Sequence, residues 1–149
     1  ELKIWRPTGL RPAPAWGLGR MSRIAWPALH TFHIFRNDHL AIVGLKRHDQ
    51  CVHRTLLTPP FFRFPFMARD DLQCDIWTSP LERGQGLGTL GVLSAVKLGW
   101  TEGRQIWYLA DPTNESSVRL AYRSGFSLVG KGSRSCRLGL RFFGQYFIA

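Results

Sequence analysis

The pattern of apolar and polar positions is clearest in the second half of the chain. An apolar-rich run over Leu72–Thr78 ends shortly before Pro80 and predicts a strand. Polar residues recur at helical spacing through Leu87–Thr101, which predicts a helix, and nearly all its other residues are apolar or glycine. We therefore expect that helix to be largely buried. The continuous apolar run over residues 106–110 is typical of a central parallel strand.

A second helix is predicted after that strand. It begins near residues 113–114 and stops at Gly125, because glycine readily adopts the left-handed conformation that follows a helix end. Residues 126–130 and 137–143 are predicted as two further strands that close the chain.

The first 70 residues carry weaker periodic signals. Residues 1–29 are rich in proline and show neither the helical nor the strand period of apolar residues, so we expect irregular structure with one short helix. Residues 31–35 and 40–45 flank four turn-forming residues and predict an antiparallel hairpin, followed by an extended piece over residues 52–57. Residues 59–67 contain several prolines and predict an aromatic loop, which we expect to be buried under the sheet instead of lining a substrate pocket.

Composition adds size and charge to this picture. With 149 residues and 44% hydrophobic residues, the chain predicts a single domain over residues 1–149. Its parts are an irregular or truncated segment 1–29, a hairpin and aromatic loop 30–69, and a core 70–149. Lysine and arginine number 20 against 10 acidic residues, a net charge of +10 that favours anionic partners. Residues 1–69 hold 11 basic and 3 acidic side chains, so most of the excess lies there.

Several classes of protein are disfavoured by what the sequence contains. No apolar run approaches the ~20 residues that span a bilayer. Cys51, Cys74 and Cys136 are odd in number and widely spaced, and the five histidines show no metal-ligand spacing, so we expect free thiols, no metal and a cytoplasmic location. The chain begins at Glu1 instead of methionine, which suggests a fragment that lacks its true start.

The sharpest local feature is a glycine loop at residues 83–89, between the strand and the buried helix. Glycines let a ligand approach the backbone closely, and amides at a helix N-terminus attract anions, so a phosphate or pyrophosphate is expected there. Gly86, Gly88 and Gly91 also satisfy the dinucleotide-binding spacing, with Asp111 in the place of its acidic residue. A tight turn without any ligand is a further alternative. A Walker A loop is excluded, because no Gly-Lys-Ser/Thr follows.

Two motifs in this half resemble those of one enzyme superfamily. The residues Ile76, Thr78, Pro80, Arg83, Gly86 and Gly88 are spaced as in motif A of the GNAT superfamily of N-acetyltransferases, and Asn114, Ser117, Leu120, Arg123 and the pair Gly125-Phe126 resemble its motif B. The resemblance covers residues 72–130 best. It implies the GNAT fold of the α/β (α+β) class, a mixed and mostly antiparallel sheet with splayed central parallel strands flanked by helices, here with shortened N-terminal elements.

The resemblance also implies acetyl-CoA as co-substrate. In the family, main-chain amides of the glycine loop hold the pyrophosphate, and the pantetheine arm runs along the preceding strand and faces the motif B asparagine. The residues that would contact acetyl-CoA here are Ile76, Trp77, Thr78, Arg83, Gly84, Gln85, Gly86, Leu87, Gly88, Thr89, Asn114 and Ser117.

The catalytic groups are less clearly indicated. Many GNAT enzymes use as general acid a tyrosine seven residues after the motif B asparagine, but Ala121 stands there in this chain. Tyr122, one residue later, is the candidate acid, although a step of about 100° around the helix would direct it into the core. Asp75, on the strand beside the acyl site, is the candidate base. His33 and His53 have a suitable intrinsic pKa but are expected to be structural residues of strands.

These observations predict an acyltransferase that moves an acetyl group from acetyl-CoA to a primary amine of a small molecule. Residues 52–72 loosely resemble GNAT members that acylate amino sugars, which makes an amino sugar a candidate acceptor. The alternatives are a basic nucleic-acid or ribosome-associated module, although no nucleic-acid motif occurs, and a GNAT fold that binds the coenzyme without transferase activity. The aromatic C-terminal run, residues 142–148, suggests a homodimer contact.

Overall fold

The computed structural model describes residues 1–16, 19–136 and 144–148, which form a five-stranded sheet, a two-stranded sheet and three helices. In chain order the elements are β1 (Leu2–Trp5), α1 (Arg20–Thr31), β2 (Ala41–Arg47), β3 (Gln50–Thr58), β4 (Leu72–Thr78), a 3-10 turn (Pro80–Glu82), α2 (Leu87–Thr101), β5 (Ile106–Tyr108), α3 (Glu115–Arg123), β6 (Gly132–Arg134) and β7 (Tyr146–Ile148). The predicted strand at Leu72–Thr78 and helix at Leu87–Thr101 are confirmed with the same bounds.

The larger sheet has the order β1-β2-β3-β4-β5. The pairs β1–β2, β2–β3 and β3–β4 are antiparallel, and the pair β4–β5 is parallel. Such a parallel pair needs a crossover connection, which α2 supplies. The predicted mixed and mostly antiparallel sheet is therefore confirmed. The central position predicted for the strand at residues 106–110 is wrong, because within the described ranges β5 is the last strand of the sheet.

The hairpin lies further along the chain than predicted. It joins β2 to β3 through His48 and Asp49, whose φ angles of 45° and 66° give the left-handed conformation of a two-residue hairpin turn. Residues 31–35 are no strand, because α1 continues to Thr31 and irregular chain follows. The extended piece predicted at residues 52–57 lies within β3, so that prediction is confirmed.

The N-terminal segment is more regular than predicted. β1 pairs along its whole length with β2, from Leu2 opposite Leu45 to Trp5 opposite Ile42. The predicted short helix is present as α1, which has 12 residues and contains Pro27. A four-residue strand carries too few positions for an alternation to stand out. Its order comes from pairing with β2.

Each face of the sheet carries its own core. On one face, Phe61, Phe64 and Met67 of the aromatic loop are buried together with Leu56 of β3, as predicted for that loop. On the other face, Ala95 of α2 packs with a second cluster, whose other members are Ala41, Val43, Leu57, Leu72 and Cys74.

Helix α2 is only half buried, contrary to prediction. Leu90, Leu93 and Trp100 are exposed, because a single sheet face covers one side of the helix. The strand predicted at residues 126–130 is also absent, and the chain instead pairs β6 with β7. The strand predicted at residues 137–143 lies outside the described residues.

Candidate active site

The glycine loop joins the 3-10 turn to α2 and exposes backbone amides. Gly84 and Gly86 have φ angles of +79° and +78°, a conformation that L side chains rarely adopt. Gly86 caps α2 without any side-chain hydrogen bond, and the amide of Leu90 is the one that returns to the Gly86 carbonyl. The amides of residues 87–89 precede that bond and point out of the helix end. They are available for an anionic ligand, and the helix dipole adds to their attraction.

Hydrogen bonds to two strands, β2 and β4, hold this loop in place. Arg47, at the end of β2, donates to Glu82 at 2.8 Å and to the side-chain oxygen of Gln85 at 3.4 Å. Arg83 donates from Nε to the Thr78 carbonyl at 3.4 Å. The Arg47 contact was not anticipated from the sequence, since Arg47 is 35 residues from Glu82 and only the sheet brings them together.

Strand β4 leaves its parallel neighbour before its own end. The β4–β5 register runs from Leu72 opposite Ile106 to Cys74 opposite Tyr108, whereas β4 continues to Thr78. A gap therefore opens between the strands beside Asp75 to Thr78, next to the glycine loop. This gap matches the splayed parallel strands predicted for the fold.

Helix α3 lies beside the same gap. The Asn114 side chain caps it, accepting hydrogen bonds from the Ser117 amide at 3.2 Å and the Ser116 hydroxyl at 2.8 Å. The Ser117 hydroxyl is 2.8 Å from the hydroxyl of Tyr108 on β5. The predicted helix start and its stop at Gly125, which has φ +87°, are confirmed. In this structure the Asn114 and Ser117 contacts order the start of α3.

The Tyr122 side chain does not point into the core, although its place on the helix, one residue after Ala121, suggested that it would. Its side chain is 56% exposed, whereas Leu120, two residues earlier, lies close to Gly88 of α2. Two residues turn a helix by about 200°, so Tyr122 is directed away from α2. Burial raises the pKa of Tyr108, while its hydrogen bond with Ser117 acts in the opposite direction. Tyr108 is thus a second tyrosine near the gap, and it was not singled out from the sequence.

His53 is a structural residue beneath α2. It is fully buried on β3, with Nδ1 2.8 Å from the Thr78 hydroxyl and Nε2 3.0 Å from the Thr55 hydroxyl. Burial, aided by the nearby Arg54 charge, lowers the pKa of His53 to about 4. The ring is therefore neutral near pH 7. His33, by contrast, is exposed in the turn after α1 and not in a strand.

The buried imidazole makes stability depend on pH. The unfolded chain takes up a proton on His53 below pH ~6.5, but the folded protein does so only near pH 4. The free energy of unfolding should therefore fall as the pH drops through this window, by up to about 3 kcal/mol. Urea unfolding at pH 7 and pH 5 measures the effect. His53→Gln should flatten this part of the pH dependence, and an unchanged slope in that variant would contradict the assignment.

Packing against His53 also explains Gly91. A Cβ built on Gly91 would overlap the imidazole ring, so this glycine permits close approach of α2 to β3. Asp111 in turn accepts from the amide and hydroxyl of Thr113, at 2.9 and 2.7 Å. These two residues therefore have structural roles. Their match to the dinucleotide-binding spacing needs no cofactor to account for it.

The Asp75 side chain lies on one face of the sheet, whereas Thr78 and its partner His53 lie on the other face. Directly opposite residues of antiparallel strands share a face, which places Arg54 with Trp77 and Leu56 with Asp75. Asp75 is exposed, yet surrounding protein removes part of its hydration and raises its carboxyl pKa above the ordinary value, with Arg54 opposing the rise. A carboxylate with a raised pKa, beside the gap, is a suitable proton acceptor.

Histidine, cysteine and acidic residues are the side chains of the described segments that could hold a metal ion. No group of three or more His, Cys, Asp or Glu residues there is arranged to hold a metal ion. Cys51, Cys74 and Cys136 are all free. None of the helices in those segments combines the length and apolar character needed to cross a bilayer.

Several solved structures that share this fold are acetyltransferases. The aminoglycoside acetyltransferase AAC(6')-Iy, in complex with the bisubstrate analogue CoA-S-monomethyl-acetylneamine, matches with a TM-score of 0.61 and 15% identity over 88% of this chain and 94% of that one. A GNAT-family acetyltransferase from Streptococcus pneumoniae matches with a TM-score of 0.62 and 13% identity, over 90% and 88% of the two chains. The chain has the GNAT fold.

A third structure agrees with these two. The aminoglycoside antibiotic 6'-N-acetyltransferase AAC(6')-IG from Acinetobacter haemolyticus matches with a TM-score of 0.57 and 15% identity, over 87% of this chain and 93% of that one. No protein-family model and no curated protein matches the sequence. The fold that the two motifs implied is thus confirmed.

Proposed function

We propose that this protein is an acetyl-CoA-dependent N-acetyltransferase that acts on a primary amine of a small molecule. The observation that carries the proposal is the position of the glycine loop. Its outward-pointing amides at the start of α2 lie directly beside the gap that opens between β4 and β5. A pyrophosphate and an extended thioester arm need these two features next to each other. Solved structures of the same fold contain coenzyme A groups.

In this proposal the backbone binds most of the coenzyme. Amides of residues 83–89 hold the pyrophosphate, and the backbone of Ile76, Trp77 and Thr78 pairs with the arm along the unpaired side of β4. Arg83 adds a positive charge, while Asn114 and Ser117 border the arm from α3. Arg47 acts indirectly, since it fixes the loop through Glu82 and Gln85. The coenzyme supplies an acetyl thioester. The protein residues would hold this thioester in position for the reaction.

Other side chains of the site would accept and donate the protons of the reaction. The acceptor nitrogen must be neutral to attack, and Asp75 would take its proton directly or through one water. The new bond joins nitrogen to the acetyl carbon, the carbon–sulfur bond breaks, and a proton goes to the thiolate. Tyr122 is our predicted donor for that proton, with Tyr108 as the alternative that lies nearer the gap. Replacing each tyrosine by phenylalanine, and comparing the alkaline limb of the rate profile, distinguishes them.

Two further proposals concern the acceptor substrate and the oligomeric state. The AAC(6') proteins are aminoglycoside acetyltransferases, and an aminoglycoside contains amino sugars. An amino sugar is accordingly one candidate acceptor for this chain. We also propose a homodimer through the C-terminal aromatic run. Of that run Phe147 is 50% exposed, and residues 142–143 lie outside the described part.

Replacement of Gly86 by aspartate tests the coenzyme site. The change adds a side chain at φ +78° and places a carboxylate against the phosphates, so the affinity for acetyl-CoA should fall about 100-fold. Isothermal titration with acetyl-CoA measures it. Gly103→Asp is the matched control, because Gly103 has φ +70° and open space around it at the other end of α2. Wild-type protein that is folded but does not bind acetyl-CoA would overturn the proposed function.

A further inference from the structure

We propose that the acceptor carries an anionic group near its amine and that Arg54 binds this group. The inference rests on the proposed function and specifies its substrate class. It starts from the sheet face that Asp75 shares with Arg54 and Trp77, on the side opposite α2. An acceptor must reach Asp75 from this face. The charges and rings found there therefore select the acceptor.

Arg54 is held in place by an aromatic ring instead of a carboxylate. It lies on β3 directly opposite Trp77, and its guanidinium carbon is 5.2 Å from the centre of the Trp77 ring. Throughout residues 1–16, 19–136 and 144–148, no ion pair or side-chain hydrogen bond is formed by Arg54. A cation–π contact orients a guanidinium but leaves its N–H donors free. Those donors match a carboxylate or a phosphate.

The neighbouring strand extends this arrangement. Gly44 on β2 is the residue opposite Arg54, and the Trp16 ring covers Gly44 so closely that any Cβ there would overlap it. Across three strands the order on this face is therefore Trp16 over Gly44, then Arg54, then Trp77. The strand position of Arg54 thus lies between a position covered by one indole ring and a position that carries another.

Asp75 provides the second charge of the site. It is the diagonal neighbour of Arg54, a relation that corresponds to a separation of roughly 7 to 8 Å between the two residues. The two side chains do not form an ion pair with each other in the described structure, although the Arg54 charge opposes the rise that burial causes in the pKa of the Asp75 carboxyl. One cation and one anion at this spacing complement a molecule that carries an amine and an acidic group. The amine would meet Asp75, and the acidic group would meet Arg54.

This arrangement disfavours a polycationic acceptor. A compound such as neamine carries several ammonium groups and no anion, so binding near Asp75 would bring positive charge towards Arg54. The chain as a whole has a net charge of +10 and adds to the repulsion. The substrate class named for the AAC(6') structures is therefore not the one we propose for this chain.

The test uses pairs of acceptors that differ in one anionic group. Glucosamine 6-phosphate is compared with glucosamine, and an amino acid with its amide, by release of coenzyme A. Neamine is the cationic member of the panel. We expect kcat/KM to be about 10- to 100-fold higher for the anionic member of a pair, the usual effect of a hydrogen-bonded charge. Equal or lower values for both anionic members, or preferred acetylation of neamine, would overturn the inference.

Variants at Arg54 assign the effect to this residue. Arg54→Gln should reduce the ratio of anionic to neutral kcat/KM to about 2, mainly through KM, and Arg54→Lys should restore part of it. Lys97→Gln removes the same charge from an exposed position on α2 and should keep the ratio. A ratio that falls equally in both glutamine variants would contradict a specific site.

Binding separates the two proposals. Each anionic amine is titrated by calorimetry into wild-type protein saturated with coenzyme A, which needs no turnover. Binding that is lost in Arg54→Gln supports the inference. If acetyl-CoA binds but no anionic amine does, the substrate class is wrong while the proposed function stands. If acetyl-CoA itself does not bind, the proposed function fails.

Discussion

Replacing Gly91 by alanine should lower the free energy of unfolding by about 4 kcal/mol, a large effect for one added methyl group. A Cβ at residue 91 would overlap the His53 ring, which is fully buried and bonded on both sides by Thr78 and Thr55. Relief requires α2 to move from the sheet or the ring to break its hydrogen bonds. Overpacking costs about 1 to 3 kcal/mol, and each lost buried hydrogen bond adds about 1 to 3. Urea unfolding followed by circular dichroism gives the value.

Two further proteins decide whether the ring is the cause. Lys97→Ala alters an exposed position of α2 and should change stability by less than about 0.5 kcal/mol. In a His53→Ala background the added methyl group has room, so Gly91→Ala should there be neutral or stabilising, since alanine favours helix over glycine by about 1 kcal/mol. Additive effects of the two substitutions would show that the clash with His53 is not responsible.

The bounds of β4 and α2 could be predicted from the sequence because their signals are local. Pro80 ends one element, and the glycines of residues 84–88 open the next. The cap of α3 is equally local, since Asn114 bonds residues only two and three positions away. Where neighbouring residues determine the structure, the pattern of the sequence is sufficient.

The first half of the fold depends on contacts between distant residues. β1 is ordered by pairing with β2 some 40 residues later, and the turn at His48 and Asp49 lacks the glycine that marks most hairpins of this type. The edge position of β5 is likewise set by sheet order and not by its own apolar residues. An apolar run indicates burial. It does not say which neighbour supplies it.

The candidate site likewise contains a part that depends on neighbouring residues and a part that depends on distant ones. The glycine loop is contiguous and was predicted, whereas its anchor Arg47 and the Arg54–Trp77 pair are assembled by strand register. Gly91 fitted a dinucleotide-binding spacing, and only the packing of α2 on β3 shows that it makes room for His53. Spacing along the chain was enough to predict a phosphate-binding backbone in the glycine loop. The acceptor side needed the folded sheet.

Asp75→Asn should lower kcat/KM about 10²- to 10⁴-fold, the usual contribution of a general base. The amide has nearly the same shape but cannot take a proton from the attacking amine. The pH dependence has a defined sign, since a carboxyl group can act as a base only when it is ionised. Wild-type kcat/KM should fall as the pH drops through its carboxyl pKa, which partial desolvation raises above the usual value for aspartate. The asparagine variant should lack this acidic limb. Stopped assays of coenzyme A release from pH 4 to 9 measure both.

The control for this experiment is Asp38→Asn, which makes the same change at an exposed position before β2 and should keep both rate and profile. Calorimetry with acetyl-CoA adds a second readout, because Asp75 acts on the acceptor and its loss should alter coenzyme affinity little. A variant that binds acetyl-CoA normally but turns over slowly, without the acidic limb, identifies Asp75 as the base. If Asp75→Asn retains the wild-type rate and limb, the proton leaves by another route, such as water in the gap between β4 and β5.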